Sequence, residues 1–478
     1  MIWWELGFML GSALLAVAFF FLATVLFWRP LFNRFLDWVV RRIFTDRYVE
    51  NLLEGFNAMR RHGFQHTIEN ELRCAEGRAL LKPIGTHRHY PHFDGLLLAP
   101  AQLERQALQD HDPVDIRVTL GRRCQRPLTL EMPILASAMG YGVALSKQVL
   151  VAIARGTAAA KTACNMGQGP FVKEVRDVAY KLVVQLHGAP WKPTEEQLAQ
   201  ADMIEIRYGQ GATGGLGTTL ERSHLTHDII KHLGVENLPD SQLYIPAGIP
   251  KVNSVRDLRQ LVDQLRQIGG GVPIAIKLAA SHYLERDLAK AIAAGVDVIV
   301  LDGAQGSTHD SPAIVVDDFG LPTLAALARA VRFLEEQQQT DIDLIISGGL
   351  RTPGDVLKAL ALGARAVYLG TPILFAAVHD QIVDALPFEP PTELSFADGQ
   401  LAHLFNEDQG ARSITNFLTS CAEELRIGLR ALGKRSLSQL NRHDLVAWQK
   451  DVAEIAAVPY IAEPAPPVQP VRRKLVRL

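Results

Sequence analysis

Two turns late in the chain have the composition of a phosphate grip. The apolar run Ile345-Ile-Ser ends in Gly348-Gly349-Leu-Arg351, and the run Ala366-Val-Tyr-Leu ends in Gly370-Thr371. Glycine lets a bare backbone come close to an anion, and neighbouring N–H groups then point at it. A helix opens between the turns at Pro353, with Asp355 in its first turn and apolar residues at helical spacing. Strand, glycine turn, helix, strand, glycine turn is how the last third of a (β/α)8 barrel holds a phosphate at its catalytic end. The chemistry expected is that of a barrel enzyme carrying a phosphorylated, flavin-type cofactor.

The elements needed to position those turns are legible upstream. Strand-like runs stand at Ile134–Ser137, Lys181–Gln185, Met203–Ile206, Pro273–Leu278, Val296–Leu301, Asp343–Ser347 and Ala366–Leu369, with helical patterns such as Ser146–Ala160 and Leu284–Ala294 between them. Strands alternating with helices make a parallel sheet, and this many without a reversal signal favour closure into a barrel. The barrel is expected over residues 131–385, with a Gly-rich insertion at 208–250 in the position of a lid or substrate loop. Helices over Ala411–Leu432 and Leu437–Ala457 then give a helical C-terminal region, 386–460, packed outside it.

The N-terminal part is of another kind. Leu6 to Trp28 carries no charge and has Trp3, Trp4 and Trp28 at its ends, so residues 1–30 are expected to span a bilayer. Arg29, Arg34, Arg41, Arg42 and Arg47 follow the run and only Glu5 precedes it, which places the N-terminus outside and the catalytic domain in the cytoplasm, on a single-pass inner (cytoplasmic) membrane anchor. Residues 31–44 read as an amphipathic helix against lipid, within a juxtamembrane extension over 31–130. The Pro-rich, basic tail 461–478 reads either as a second lipid contact or as a solvated tail. The loop Thr86-His-Arg-His-Tyr-Pro-His-Phe-Asp94 holds three histidines, but no cysteine or paired carboxylate completes a ligand set. It reads as a packed surface loop, with no metal site. A net charge of −2 gives no reason to expect nucleic acid. Four scattered cysteines without CxxC spacing suit a reducing compartment and exclude an iron–sulfur site on pattern.

Taken in order, further segments resemble the FMN-binding synthase domain of glutamate synthase, and most of all its short single-domain relatives, over roughly residues 80–460. Pro133-Ile-Leu-Ala-Ser-Ala-Met-Gly-Tyr-Gly142 resembles the first barrel strand and its flavin-side turn. Asn165-Met-Gly-Gln-Gly169 resembles the Asn-Thr-Gly-Glu-Gly motif, and Ile204-Glu-Ile-Arg-Tyr-Gly-Gln-Gly-Ala212 the glycine-rich loop. Gln185, Lys277 in Ile-Ala-Ile-Lys-Leu, and Asp302-Gly-Ala-Gln-Gly-Ser-Thr308 match in turn. The resemblance implies an FMN-dependent (β/α)8 TIM barrel. It implies FMN contacts from Ser137, Ala138, Met139, Gly140, Asn165, Gln185, Lys277, Asp302 and Gly303, and a phosphate grip from Gly348, Gly349, Arg351, Gly370 and Thr371. Lys277, Gln210 and Gln168 are the implied catalytic residues. A strand-end lysine in a dry barrel mouth would face the flavin's pyrimidine edge and stabilise the charge that builds there.

The chain also departs from the pattern. It opens on an apolar helix rather than a glutaminase domain, and Phe375–Gln400 holds none of the iron–sulfur cysteines. The acid of Asn-Thr-Gly-Glu-Gly is Gln168, and the lysine after Gln-Gly-Ala is Thr213. Losing a cation and an acid there weakens the case for a dicarboxylate substrate; Arg207 and Lys251 are the two candidates for a replacement cation, a choice the sequence leaves open. The function implied is glutamate formation from 2-oxoglutarate through its imine. Electrons would come from an external donor (ferredoxin or a reductase subunit), and ammonia from a partner. An FMN oxidoreductase acting on another 2-oxo, 2-hydroxy or quinone-type substrate, and a membrane-anchored flavin-binding scaffold, are the alternatives.

Overall fold

The computed structural model describes residues 2–222, 225–236, 242–309, 311–381 and 392–464. The chain falls into two compact units, Met1–Leu80 and Leu81–Leu478. In the first, one 44-residue helix, Ile2–Thr45, runs on through Pro30, so the apolar run and the amphipathic stretch are a single element. Its part Leu15–Thr45 is long and apolar enough to cross a membrane. Asn51 ends it: the side-chain amide donates to the Arg42 and Ile43 carbonyls at 3.1 and 2.8 Å, while its oxygen caps the next helix, Leu52–His62.

The second unit is built on eight parallel strands: β1 Ile134–Ala136, β2 Ala163–Asn165, β3 Lys181–Leu186, β4 Met203–Arg207, β5 Ile274–Ala279, β6 Val298–Asp302, β7 Asp343–Ser347 and β8 Ala366–Leu369. They pair in the order β1-β8-β7-β6-β5-β4-β3-β2, and a parallel bridge between Ala138 and Asn165 joins the two ends into a TIM barrel. The sequence signalled every strand except β2, whose residues, Ala-Cys-Asn, include none of the β-branched or aromatic types that mark strands.

Side chains alternate along a strand, so residues two apart share the barrel interior. Near the N-terminal end that interior holds Ala163, Val183, Met203, Ala275, Val298, Ile345 and Ala366. A hairpin of Val118–Leu120 and Leu128–Leu130 adds its leucines to the same apolar cluster and plugs this end. It is pinned to β7 by Asp343, which accepts from the Gly121 N–H at 2.8 Å and from Arg122 at 3.1 Å. One step further along each strand the inward residues are polar: Asn165, Gln185, Glu205, Lys277, Asp302 and Ser347. The barrel is therefore dry and apolar at one end and polar at the other.

Outside the barrel, helix Glu407–Ala431 lies along Lys147–Ala159, where a Cβ on Gly156 would stand 2.6 Å from Ile414. The insertion folds into a hairpin, Thr218–Glu221 with Gln242–Ile245, and a short helix, His227–Leu233. The second C-terminal helix is shorter than the sequence suggests. Leu445–Ala447 becomes a strand paired with Leu96–Leu98, and only Lys450–Ala456 is α-helical. Stretch 382–391 and the basic tail from 465 lie outside the described residues.

The plug makes a direct prediction. Leu128, 1% exposed, fills the barrel floor, so Leu128→Ala is expected to destabilise the fold by about 2–5 kcal/mol. Thermal melting followed by circular dichroism checks it, and an unchanged midpoint would contradict the role of the hairpin.

Candidate functional site

The polar end of the barrel opens into a cavity of about 1230 Å³. Thirteen of the residues singled out in the sequence line it: Ser137, Ala138, Met139, Gly140, Gln168, Gln210, Lys277, Asp302, Gly348, Gly349, Arg351, Gly370 and Thr371. Three are placed elsewhere. Asn165 and Gln185 lie one layer deeper, within the barrel, and Gly303 packs so closely on Thr323 that a Cβ would stand 2.1 Å from its hydroxyl.

The deeper layer is a network around Glu205. Its Oε1 accepts from Gln185 Nε2 at 2.7 Å and from Asn165 Nδ2 at 2.8 Å, and Asn165 Nδ2 also reaches the Tyr368 hydroxyl at 3.2 Å. Burial, then the Glu205 charge, raises the Tyr368 phenol well above its ordinary value, so it stays neutral. Lys277 lies above this layer. Its Nζ is 3.3 Å from Asp302 Oδ2 and 5.5 Å from the Tyr368 ring centroid. Asp302 Oδ2 also accepts the Gly211 N–H at 2.7 Å, tying the glycine-rich loop to the lysine. Among the described residues Gln185 Oε1, Glu205 Oε2 and Asp302 Oδ1 are buried with no partner. Unpaired buried acceptors are costly unless something else supplies donors.

A second cation lies behind the cavity wall. Arg207, 2% exposed, stands in register with Lys277 on the adjacent strand. The Gln168 amide oxygen, oriented by the hydrogen-bond network, accepts from Arg207 Nε at 3.0 Å and Nη1 at 3.2 Å. That leaves the Gln168 amide nitrogen 2.9 Å from the amide of Gln210. Arg207 has no carboxylate partner among the described residues. Burial alone lowers it to about 10, so it remains charged at neutral pH. Thr213 brings no charge: its hydroxyl donates to the Gln210 carbonyl at 2.6 Å. Lys251 is exposed and away from the cavity lining.

The phosphate turns lie at the same mouth. Gly348 and Gly349 have φ of 103° and 74°, a region that favours glycine, and a Cβ on Gly349 would stand 2.6 Å from Gln305. The helix after them starts with a capping box, Thr352 with Asp355, and Asp355 also accepts the Arg351 N–H at 2.9 Å. The His-rich segment expected to be a surface loop instead crosses the cavity: Pro83, Thr86, His87, His89, Tyr90, His92 and Asp94 all line it. It is tied down at Asp317, which accepts from Lys82 at 2.8 Å and Thr86 at 2.7 Å, and by Phe93, fully buried in the core. Nothing local in the sequence signals these long-range anchors. The outer wall comes from Phe396 and from Ser413, Asn416, Phe417 and Ser420 on one face of helix Glu407–Ala431, all likewise unforeseen.

The family profile described as "Conserved region in glutamate synthase" matches residues 95–435. The chain belongs to the glutamate synthase family. It is similar to a glutamate synthase large subunit-like protein of Rhizobium meliloti (strain 1021), 32% identical over 421 residues, covering 81% of this chain and 92% of that one. It is also similar to an archaeal-type glutamate synthase [NADPH] of Thermotoga maritima, 29% identical over 399 residues and covering 79% and 78% of the two chains. The glutamate synthase large chain of Azospirillum brasilense matches at 29% over 257 residues, 17% of that much longer protein. A doubly substituted flavocytochrome b2 with sulfite bound shares the fold, with a TM-score of 0.50 at 19% identity, covering 82% of this chain and 87% of that one. The chain is thus an oxidoreductase of the glutamate synthase type. Its barrel mouth fits FMN: the orphaned acceptor Asp302 Oδ1, the buried Lys277 and the glycine turns suit a polar heterocycle bearing a phosphate.

One buried group gives the stability of this glutamate synthase relative a pH dependence. His187, just past β3, is fully buried, and burial lowers its imidazole from 6.5 to about 4. Below pH 6.5 the unfolded chain gains a proton there that the folded chain does not, so stability falls as pH drops from 6.5 to 4. The loss is on the order of 3 kcal/mol. His187→Gln is expected to flatten the stability-versus-pH curve in that window; urea titrations at pH 7 and 4.5 check it.

Proposed function

We propose that this protein is an FMN-dependent oxidoreductase that forms L-glutamate by reductive amination of 2-oxoglutarate, through 2-iminoglutarate, with electrons from an external donor. The observation that carries the reading is the uncompensated Arg207 charge behind Gln168 and Gln210. A buried guanidinium without a carboxylate favours an anionic substrate, because desolvating the cation costs free energy until an opposite charge offsets it. With Gln168 in place of the acid, that charge is no longer cancelled. It stands in for the lysine that Thr213 replaces.

FMN, when bound, supplies the hydride at its N5. Lys277 holds its Nζ at the mouth, where its charge would stabilise a reduced, anionic cofactor. Asp302 fixes the lysine there and, through the Gly211 N–H, aligns the loop that carries Gln210. Gln168 and Gln210 present amides to the substrate, and Asn165, Gln185 and Glu205 hold the layer beneath. Met139 and Gly140 line the cavity beside it. Helix Leu15–Thr45 is proposed to anchor the protein in the inner membrane with the catalytic domain in the cytoplasm: Phe19, Phe20, Phe21 and Trp28 on it are exposed apolar surface that lipid would cover. The four cysteines are free and have no CxxC spacing; electrons are proposed to arrive from a separate protein, a ferredoxin or a reductase subunit, and ammonia from a partner. A second reading, an FMN oxidoreductase for another 2-oxo or 2-hydroxy acid or for a quinone-type molecule, is favoured by Thr213 and by the aromatic wall of Phe375, Phe396 and Phe417.

Detergent-purified protein given 2-oxoglutarate, ammonia and a chemical reductant is expected to form glutamate; flavin reduction without glutamate formation would leave the second reading. Lys277→Ala is expected to slow flavin reduction or reoxidation, measured by stopped-flow absorbance, with FMN retained. Arg207→Met is expected to raise KM for 2-oxoglutarate by roughly tenfold, through loss of the charge behind the wall and of the hydrogen bonds that hold the Gln168 amide. An unchanged KM would remove Arg207 from substrate binding.

A further inference from the structure

The segment that crosses the cavity brings a histidine to the phosphate turn. His92, its side chain 12% exposed, lines the cavity next to Gly348, Gly349 and Arg351. Its ring makes two contacts of opposite sense. Nε2 is 2.9 Å from the Gly349 carbonyl oxygen, which can only accept, so Nε2 carries the proton. Nδ1 is 3.0 Å from Arg351 Nη2 and 3.4 Å from the Asp94 N–H, both of which can only donate, so Nδ1 is the acceptor. The network thus assigns a neutral imidazole with one tautomer. Burial and then the Arg351 charge hold the ring below its ordinary value, against Asp355 and Asp94, which act the other way.

Arg351 is gripped on three sides: by His92, by an ion pair with Asp94, and by Asp355, whose Oδ2 is 3.8 Å from Nε. The supporting residues are themselves fixed. The Asp94 carbonyl accepts from Trp448 Nε1 at 2.6 Å, the Phe93 carbonyl accepts from Lys358 Nζ at 3.0 Å, and Phe93 is fully buried. His92, Asp94 and Asp355 also bring ligand atoms within 4.8 Å of one another, as a metal site would, but the Arg351 guanidinium already contacts all of them. The cluster reads as a cation held in place, not as a cage for another one.

We infer that His92 is a positioning residue for the cofactor phosphate: it ties the Gly349 turn and the Arg351 guanidinium into one rigid anion site. A flexible arginine loses rotamer freedom when it binds phosphate; one already held in a fixed fork loses less. The role rests on the FMN reading given above. It predicts that selectivity for FMN over riboflavin, which has the same ring and no phosphate, depends on a residue that precedes the barrel by about forty positions.

The test is the dissociation constant of FMN and of riboflavin, read from flavin fluorescence on the full-length, detergent-purified, flavin-stripped protein. His92→Phe keeps a ring and removes both hydrogen bonds. It is expected to weaken FMN binding by roughly tenfold to a hundredfold and to leave riboflavin binding unchanged. His92→Asn, whose amide oxygen can stand where Nδ1 stands, is expected to recover most of the loss. In an Arg351→Met background, His92→Phe is expected to cost much less, because the group it positions is gone. Equal weakening of both flavins, or a full loss in the Arg351→Met background, would show that His92 only supports the fold and would overturn the inference. Where His92→Phe fails to fold, Asp94→Asn, which loosens the same guanidinium from the other side, is read by the same FMN-to-riboflavin ratio. Wild-type protein that binds neither flavin would sink the FMN reading itself, and this role with it.

Discussion

The structure depends on one constraint: polar side chains inside a closed barrel must be satisfied without water. Two-residue alternation sends Asn165, Gln185, Glu205, Lys277 and Asp302 inward, above a floor of Val183, Met203, Ala275 and Ile345. On the floor, packing is enough. In the upper layer every donor and acceptor needs a partner, and the geometry supplies most of them: Glu205 collects two amides, Asp302 collects a lysine and a backbone N–H. Three acceptors remain unpaired, Gln185 Oε1 and Glu205 Oε2 beneath the cavity and Asp302 Oδ1 on its lining. The barrel is stable as a scaffold because its apolar end is complete, and it is receptive because its polar end is not.

Charge follows the same logic. Lys277 and Arg207 face each other across adjacent strands, yet only Lys277 has a carboxylate, Asp302, within ion-pair distance among the described residues. The Gln168 amide accepts from the guanidinium without neutralising it, whereas a carboxylate in its place would.

Much of this was legible in the sequence where the signal is local. The strands β3 to β8, the glycine turns and the capping of helix Pro353–Ala361 each depend on residues within a few positions of one another. Lys277 and Asp302 were legible through a family resemblance, because strand-end residues all arrive at one mouth. Less legible was whatever depends on distant chain. β2, Ala-Cys-Asn, has no β-branched or aromatic residue to mark it as a strand. The strand Leu445–Ala447 reads as helix until its partner, Leu96–Leu98, is known. The histidines of 86–94 looked like surface because their anchors, Asp317, Gly349 and Trp448, lie more than 200 residues away. Arg207 was visible as a candidate, but its lack of a carboxylate partner is a property of three-dimensional neighbours.

Those distant anchors bear on how the protein is made. The segment across the cofactor mouth is synthesised before any barrel strand, but it is clasped by Trp448 and by the strand just before it, which are synthesised after all eight. A ribosome-bound chain that has finished all eight strands still lacks the clasp. The cofactor mouth therefore reaches its final form only once the clasp has emerged and folded back.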